Sequence, residues 1–161
     1  RMVYVFDCRQ PLDPLPPLTI DPSGVYFRPE GKSYLTGFSP PENQDPPGGD
    51  LSVDHHWFEA VIWPVLAARV PAFEAIKPTT SWAGYYDYNR IDHNAILGRH
   101  PEVDNFIFAN GFSGHGLQQS PAVGRAIAEL IVHGAYQSLD LSRLDFARFA
   151  DGRLVHEKNV V

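Results

Sequence analysis

The sequence predicts an α+β fold: an antiparallel β-sheet flanked by helices, followed by a final strand and helix joined through a glycine-rich turn. Three observations carry this expectation. Residues 2–38 alternate short β-branched and aromatic runs with turn chemistry, the pattern of a meander. Residues 53–69 repeat apolar side chains at i, i+4, the pattern of an amphipathic helix. Residues 105–109 read as a buried strand and 114–133 as a helix, with Gly111, Gly114 and Gly116 falling at the junction.

In chain order, Met2 to Phe6 read as an edge or early strand, and Pro11, Pro14, Pro16 and Pro17 then enforce an extended connector. Thr19 and Ile20 make a short strand, D-P-S-G at 21–24 a turn, and Val25 to Arg28 the next strand. E-G-K at 30–32 turns into a strand from Ser33 to Phe38, and proline and glycine make 39–50 a surface loop. Ser52 suits an N-cap and Asp54 a first turn. Trp57, Val61 and Val65, with Phe58, Ile62 and Leu66, form the apolar face of the 53–69 helix, and Pro64 predicts a kink or break within it. Pro78 to Tyr88, rich in Thr, Trp and Tyr, read as a long strand. After helix 114–133 come a turn at 138–143, a helical stretch at 143–150 and a charged terminus.

Composition narrows the function classes. The 161 residues suit one domain's worth of core, with 43% hydrophobic residues and 12% aromatic. A net charge of −6 without any basic run argues against a nucleic-acid partner. Cys8 is the sole cysteine, so no disulfide framework exists within the chain; its apolar strand makes it a core residue. No apolar run reaches the ~18 residues of a membrane span. The start opens directly into strand-like sequence without signal or transit peptide, which reads as a piece of a longer protein.

A glycine turn before a helix N-terminus offers unpaired N–H groups and a partial positive charge to an electron-rich ligand: a phosphate, a carboxylate or a flavin carbonyl edge. A dinucleotide fingerprint needs G-x-G-x-x-G, whereas the spacing here is G-x-x-G-x-G; Glu129, inside the helix, cannot serve as the ribose-binding acid. A nucleophile elbow, G-x-S-x-G, fits Gly111 and Ser113 but fails at His115, and Asp140 and His156, the partners in chain order, fall in the polar tail. Along the helix, Gly116, Ser120, Gly124 and Ala128 form a small-residue row beside a greasy row of Val123, Ile127, Leu130 and Ile131. That pairing serves either tight helix–sheet packing or the approach of a flat ring. His55 and His56 point to different helix faces, and Asp92 and His93 lack further ligands at metal spacing, so no metal site is expected. Y-Y-D-Y at 85–88 would place Tyr86 and Tyr88 on one strand face, half-buried or lining a pocket.

W-A-G-Y-Y-D-Y-N-x-x-D-x-N-x-x-L-G-x-H-P at 82–101, followed by N-G-F-S-G-H-G-L-Q-Q-S-P-A-V-G-R-A-I-A-E-L-I at 110–131, resembles the FAD-dependent amine oxidoreductases of the D-amino-acid oxidase and sarcosine oxidase superfamily. The resemblance implies that residues 1–100 belong to a substrate domain and 101–161 to the C-terminal part of an FAD-binding domain and tail. It implies that Gly111, Phe112, Ser113, Gly114, His115, Gly116, Leu117 and Gln118 hold the pyrimidine side of the flavin ring, and that Tyr86, Tyr88 and His115 line the catalytic cavity. The ADP-binding half of FAD would need an N-terminal part outside this chain, so the chain alone is expected to be inactive, to hold FAD weakly and to dimerise through exposed faces.

Departures from the family pattern sharpen these expectations. Sarcosine oxidases attach flavin to a cysteine in the segment that here carries Tyr85 and Tyr86, so FAD is expected to bind non-covalently. Gln118 stands where they carry a substrate-carboxylate lysine, and Tyr85 and Tyr86 stand where amino-acid oxidases carry a carboxylate-binding arginine. The resemblance further implies a mitochondrial setting, a small amine substrate, and partners among respiratory complex I subunits or assembly factors, with a non-catalytic assembly role for structural FAD as the alternative.

Overall fold

A computed structural model describes residues 1–45 and 48–158. Residues 46–47 of the expected proline loop and 159–161 of the expected tail lie outside the described residues. The chain forms two compact units that divide between Tyr85 and Tyr86.

The first unit is an antiparallel sheet of β1 (Met2–Cys8), β2 (Thr19–Ile20), β3 (Tyr26–Glu30), β4 (Ser33–Gly37) and β5 (Ile76–Ala83), in the order β2-β3-β4-β1-β5. The expected meander is therefore present, with the first strand inserted between its last strand and β5. Asp21 builds the first turn by accepting from Ser23 N–H at 2.8 Å, while its carbonyl accepts from Gly24 N–H at 2.8 Å. β5 ends at Ala83, short of the Tyr88 end of the expected Pro78–Tyr88 strand. Beyond it the backbone turns to the glycine turn, the Asp87 carbonyl accepting from Ser113 N–H and Asn89 N–H donating to the Ser113 hydroxyl, so the strand alternation expected for Tyr86 and Tyr88 does not apply.

One apolar face of the sheet is covered by the helical segment that ends in α1 (Trp63–Arg69). Phe58, Ile62 and Leu66 are buried at the expected spacing. The helix begins near His56, later than residue 53, because Asp54 rather than Ser52 caps it, accepting from His56 N–H at 2.9 Å. Pro64 cannot donate to the carbonyl a turn earlier, and the backbone responds with a π-helical turn over Phe58–Ile62 instead of breaking. Phe73, in the 3-10 turn that follows, is fully buried and meets Phe6, Phe27 and Tyr34 edge-on at 5.1, 5.2 and 5.0 Å between ring centroids. Cys8 is only partly buried, its thiol donating to the carbonyls of Gln10 and Ala72, so it belongs to the rim of the core.

The second unit carries a strand the sequence reading missed, β6 (Ile96–Arg99), paired antiparallel with β7 (Ile107–Asn110). Gly98 and Arg99 break the apolar alternation that would have announced it. α2 (Gly116–His133) packs on β6, and α3 (Ala147–Ala150) with a preceding 3-10 turn at Ser142–Leu144 replaces the continuous helix expected over 143–150. Phe108 and Phe146 stack at 4.8 Å with His100 parallel to both, forming an aromatic wall behind the small sheet. Ala126 and Leu130 are the buried residues of α2, whereas Ile131, expected in the packed row, is 60% exposed. Pro121 leaves the Leu117 carbonyl without its usual N–H, and the Ser120 hydroxyl donates to it at 2.8 Å.

Phe73→Ala is expected to cost the first unit about 3–5 kcal/mol, since Phe6, Phe27 and Tyr34 lose their common contact. Chemical denaturation followed by tyrosine and tryptophan fluorescence measures it.

Candidate functional site

The junction between β7 and α2 turns sharply inside the second unit. Gly111, Ser113 and Gly114 all adopt positive φ, at 72°, 49° and 97°. For Ser113, a non-glycine residue that is fully buried, this conformation costs about 1–2 kcal/mol and must be enforced from outside. Residues 87–89 enforce it. The Asp87 carboxylate accepts from Gly111 N–H, and the Asp87 carbonyl accepts from Ser113 N–H at 2.9 Å. Asn89 N–H donates to Ser113 Oγ at 3.0 Å, and that hydroxyl donates on to the Gly111 carbonyl at 3.3 Å. Gly114 is required twice over, by its φ and because a Cβ there would lie 2.5 Å from Cε1 of Tyr86.

This clasp turns the Ser113 hydroxyl inward, and the helix N-cap residue, His115, makes no side-chain capping bond. His115 N–H closes on the Phe112 carbonyl at 2.9 Å and the His115 carbonyl accepts from Gln119 N–H at 3.2 Å. Among the described residues, no backbone or side-chain acceptor takes the N–H groups of Gly116, Leu117 and Gln118, and no acid lies in the first turn. Neutral, uncapped donors at the head of an 18-residue helix suit the partly negative edge of a flavin ring. Leu117 is 89% exposed and Gln118 is exposed, so the surface that would receive such a ligand is open.

The sequence-predicted residues are distributed unevenly over this site. Tyr86 lies against Gly114 and His115 forms the helix N-cap, while Tyr88 stacks on the His93 ring at 5.1 Å. The elbow alternative fails on chemistry: Ser113 is buried and engaged, and Asp140 accepts from Ser142 N–H at 2.9 Å in an exposed turn. Glu129 is likewise occupied, its carboxyl drawn down to about 2 by the Ser138 hydroxyl and the N–H groups of Gln137 and Ser138. Among the described residues, no cluster of His, Cys, Asp and Glu is arranged to hold a metal, and no helix is long and apolar enough to cross a membrane.

What the sequence reading missed is the support beneath the clasp. Asn89 Nδ2 donates to Asp92 Oδ1 at 2.6 Å, and Arg148 grips the same carboxylate from the other side at 2.6 and 2.9 Å. Burial alone would push the Asp92 carboxyl up, but Arg148 and the N–H groups of Val155 and Asn94 hold it below the usual carboxylate range. The available signals were the spacing of Asn89, Asp92 and Asn94 and a lone arginine within aromatic F-A-R-F.

Gly114→Ala is expected to destabilise the second unit by roughly 1–3 kcal/mol, through the Tyr86 clash and the left-handed backbone. Gly124→Ala on the exposed face of α2, where a Cβ meets nothing within 4 Å, should instead stabilise by roughly 0.5–1 kcal/mol. Paired denaturation midpoints separate the two effects.

Comparison with known proteins gives a consistent result. The family model described as FAD dependent oxidoreductase matches residues 2–130. FAD-dependent oxidoreductase domain-containing protein 1 of Xenopus laevis is 53% identical over 163 residues, covering 100% of this chain and 33% of that protein. The Bos taurus protein of the same description is 50% identical, covering 98% of this chain and 33% of its own length. The chain therefore spans about a third of the length of these relatives. Among solved structures, L-proline dehydrogenase from P. horikoshii superposes with a TM-score of 0.80 at 27% identity, over 96% of this chain and 41% of the dehydrogenase. With its α+β architecture and its glycine turn, the chain belongs to the family of FAD-dependent oxidoreductases.

Proposed function

We propose that this chain is the C-terminal part of a mitochondrial FAD-dependent oxidoreductase of the amine or amino-acid oxidase type, in which residues 111–118 face the flavin ring. The observation that carries the reading is the uncapped head of α2, presented by the Asp87 and Asn89 clasp, in a chain of this family. When bound, FAD supplies the hydride acceptor. The N–H groups of Gly116, Leu117 and Gln118, with the helix dipole behind them, would stabilise negative charge on the pyrimidine side of the ring. Tyr86, Tyr88 and His115 would line the substrate side, where a phenol or an imidazole can hold a proton beside an amine. With Tyr85 and Tyr86 in place of cysteine the attachment would be non-covalent, and the ADP portion would be held by sequence outside this chain.

The substrate proposed is a small amine without a required carboxylate. Gln118 is uncharged and exposed, so the first turn of α2 offers no cation to pair with a carboxylate. Likeness to a protein described as L-proline dehydrogenase supports oxidation at a carbon–nitrogen bond. The same neutral first turn also favours a second reading, in which FAD is a structural element of a protein that assists assembly of respiratory complex I. That role and the mitochondrial setting rest on the family resemblance.

Anaerobic flavin absorbance of the full-length protein during titration with sarcosine-like and cyclic secondary amines separates the readings. Bleaching of the yellow flavin by at least one amine is expected. Persistent oxidised flavin across a broad amine panel would sink the enzymatic reading in favour of the assembly role.

A further inference from the structure

Beneath the clasp lies a buried polar network that reaches from the C-terminal tail to the glycine turn. Asp92 and Arg148 have side chains 0% and 1% exposed. The Asp92 carboxylate accepts from Arg148 Nε at 2.6 Å, Arg148 Nη2 at 2.9 Å, Asn89 Nδ2 at 2.6 Å and Val155 N–H at 3.2 Å. The tail is bound twice more, by Glu157 N–H to the Asp92 carbonyl at 2.9 Å and by Asn94 Nδ2 to the Val155 carbonyl at 3.2 Å. Arg148 completes its bonding on the carbonyls of Leu144 and Asn94, at 2.6 and 3.2 Å. Asn89 is the outlet of this network: its side chain is held by Asp92 and the Asn94 carbonyl, and its backbone N–H is the donor that fixes Ser113 at positive φ.

A buried ion pair rarely adds net stability over apolar side chains of the same volume, because desolvation offsets the attraction. Packing alone therefore does not explain it. What the pair supplies, and an apolar pair would not, is direction: it sets the rotamer of Asn89 and so the position of the backbone at 89. We propose that Arg148 and Asp92 are a positioning pair that locks the 111–116 turn in its donor-presenting conformation, with the Val155–Glu157 tail as an outer clamp. The inference deepens the flavin-site reading and rests on it only for what the turn touches.

The test uses full-length protein carrying this chain, with Arg148→Lys, Ser113→Ala and the double variant. Two quantities are read: hydrogen exchange across residues 111–118, and the dissociation constant for FAD. Arg148→Lys keeps the charge but loses the two-pronged grip, and should speed exchange in the turn and weaken FAD by about tenfold, the equivalent of one charge-assisted hydrogen bond. In the Ser113→Ala background, where the outlet is already cut, the same change should add little. Unchanged exchange and affinity in Arg148→Lys would overturn the proposal. So would an undiminished effect in the Ser113→Ala background, or faster exchange spread evenly over residues 86–158, which is what a merely structural role gives. Should Arg148→Lys fail to fold, Val155→Pro, which deletes the tail's N–H to Asp92, is read against the same outcomes. Wild-type protein that binds no FAD would count against the flavin reading, while the exchange measurement still decides the positioning pair.

Discussion

The turn between β7 and α2 depends on hydrogen bonds it cannot make within itself. A left-handed serine between the left-handed Gly111 and Gly114, with Phe112 interposed, is an unfavourable backbone, and the segment carrying Asp87 and Asn89 supplies the acceptors and donor that hold it. The Ser113 hydroxyl is held in the clasp and the N-cap residue, His115, makes no side-chain capping bond, so the helix meets its surroundings with bare N–H groups.

The two units reach their order by different physics. The first is fixed by rings: Phe73 gathers Phe6, Phe27 and Tyr34 beneath the helix, and the sheet register follows from which aromatic positions face it. The second has a smaller apolar core, with Ala95, Leu97, Ala126 and Leu130 buried, and relies on a polar one in Asn89, Asp92, Ser113 and Arg148. Polar cores of this kind are directional, and direction is what the turn would need in the proposed flavin-facing role. Gly134 ends α2 in the left-handed conformation, and Arg99 donates to the Leu130 carbonyl at 3.0 Å, so the far end of the helix is closed where the near end is open.

Much of the local structure was legible in the chain. Asp21 to Gly24 announced a turn, Phe58, Ile62 and Leu66 a buried helix face, and the three glycines a tight connection into α2. What was hidden shares one property: it depends on residues distant in sequence. β5 stops at Ala83, and Asp87 and Asn89 turn instead to bond Ser113, which no pattern in 78–88 could reveal. β6 was masked by Gly98 and Arg99, whose roles appear only beside Asp145 and the end of α2. The glycine turn itself was visible, but its supports were not: Arg148 lies fifty-six positions from Asp92. In the apolar row of α2 Leu130 is buried while Ile131 is exposed, a division the row's periodicity does not show.

In the proposed reading, the head of α2 is a preformed cradle for the edge of a flat, electron-rich ring. A structure of the full-length protein with FAD bound tests it most directly. The expected result is the pyrimidine edge of the flavin against the N–H groups of Gly116, Leu117 and Gln118, with Ser113 still bonded to Asn89 and the turn unmoved. A flavin ring bound elsewhere, or a turn that refolds to meet it with Ser113 released from Asn89, would contradict it.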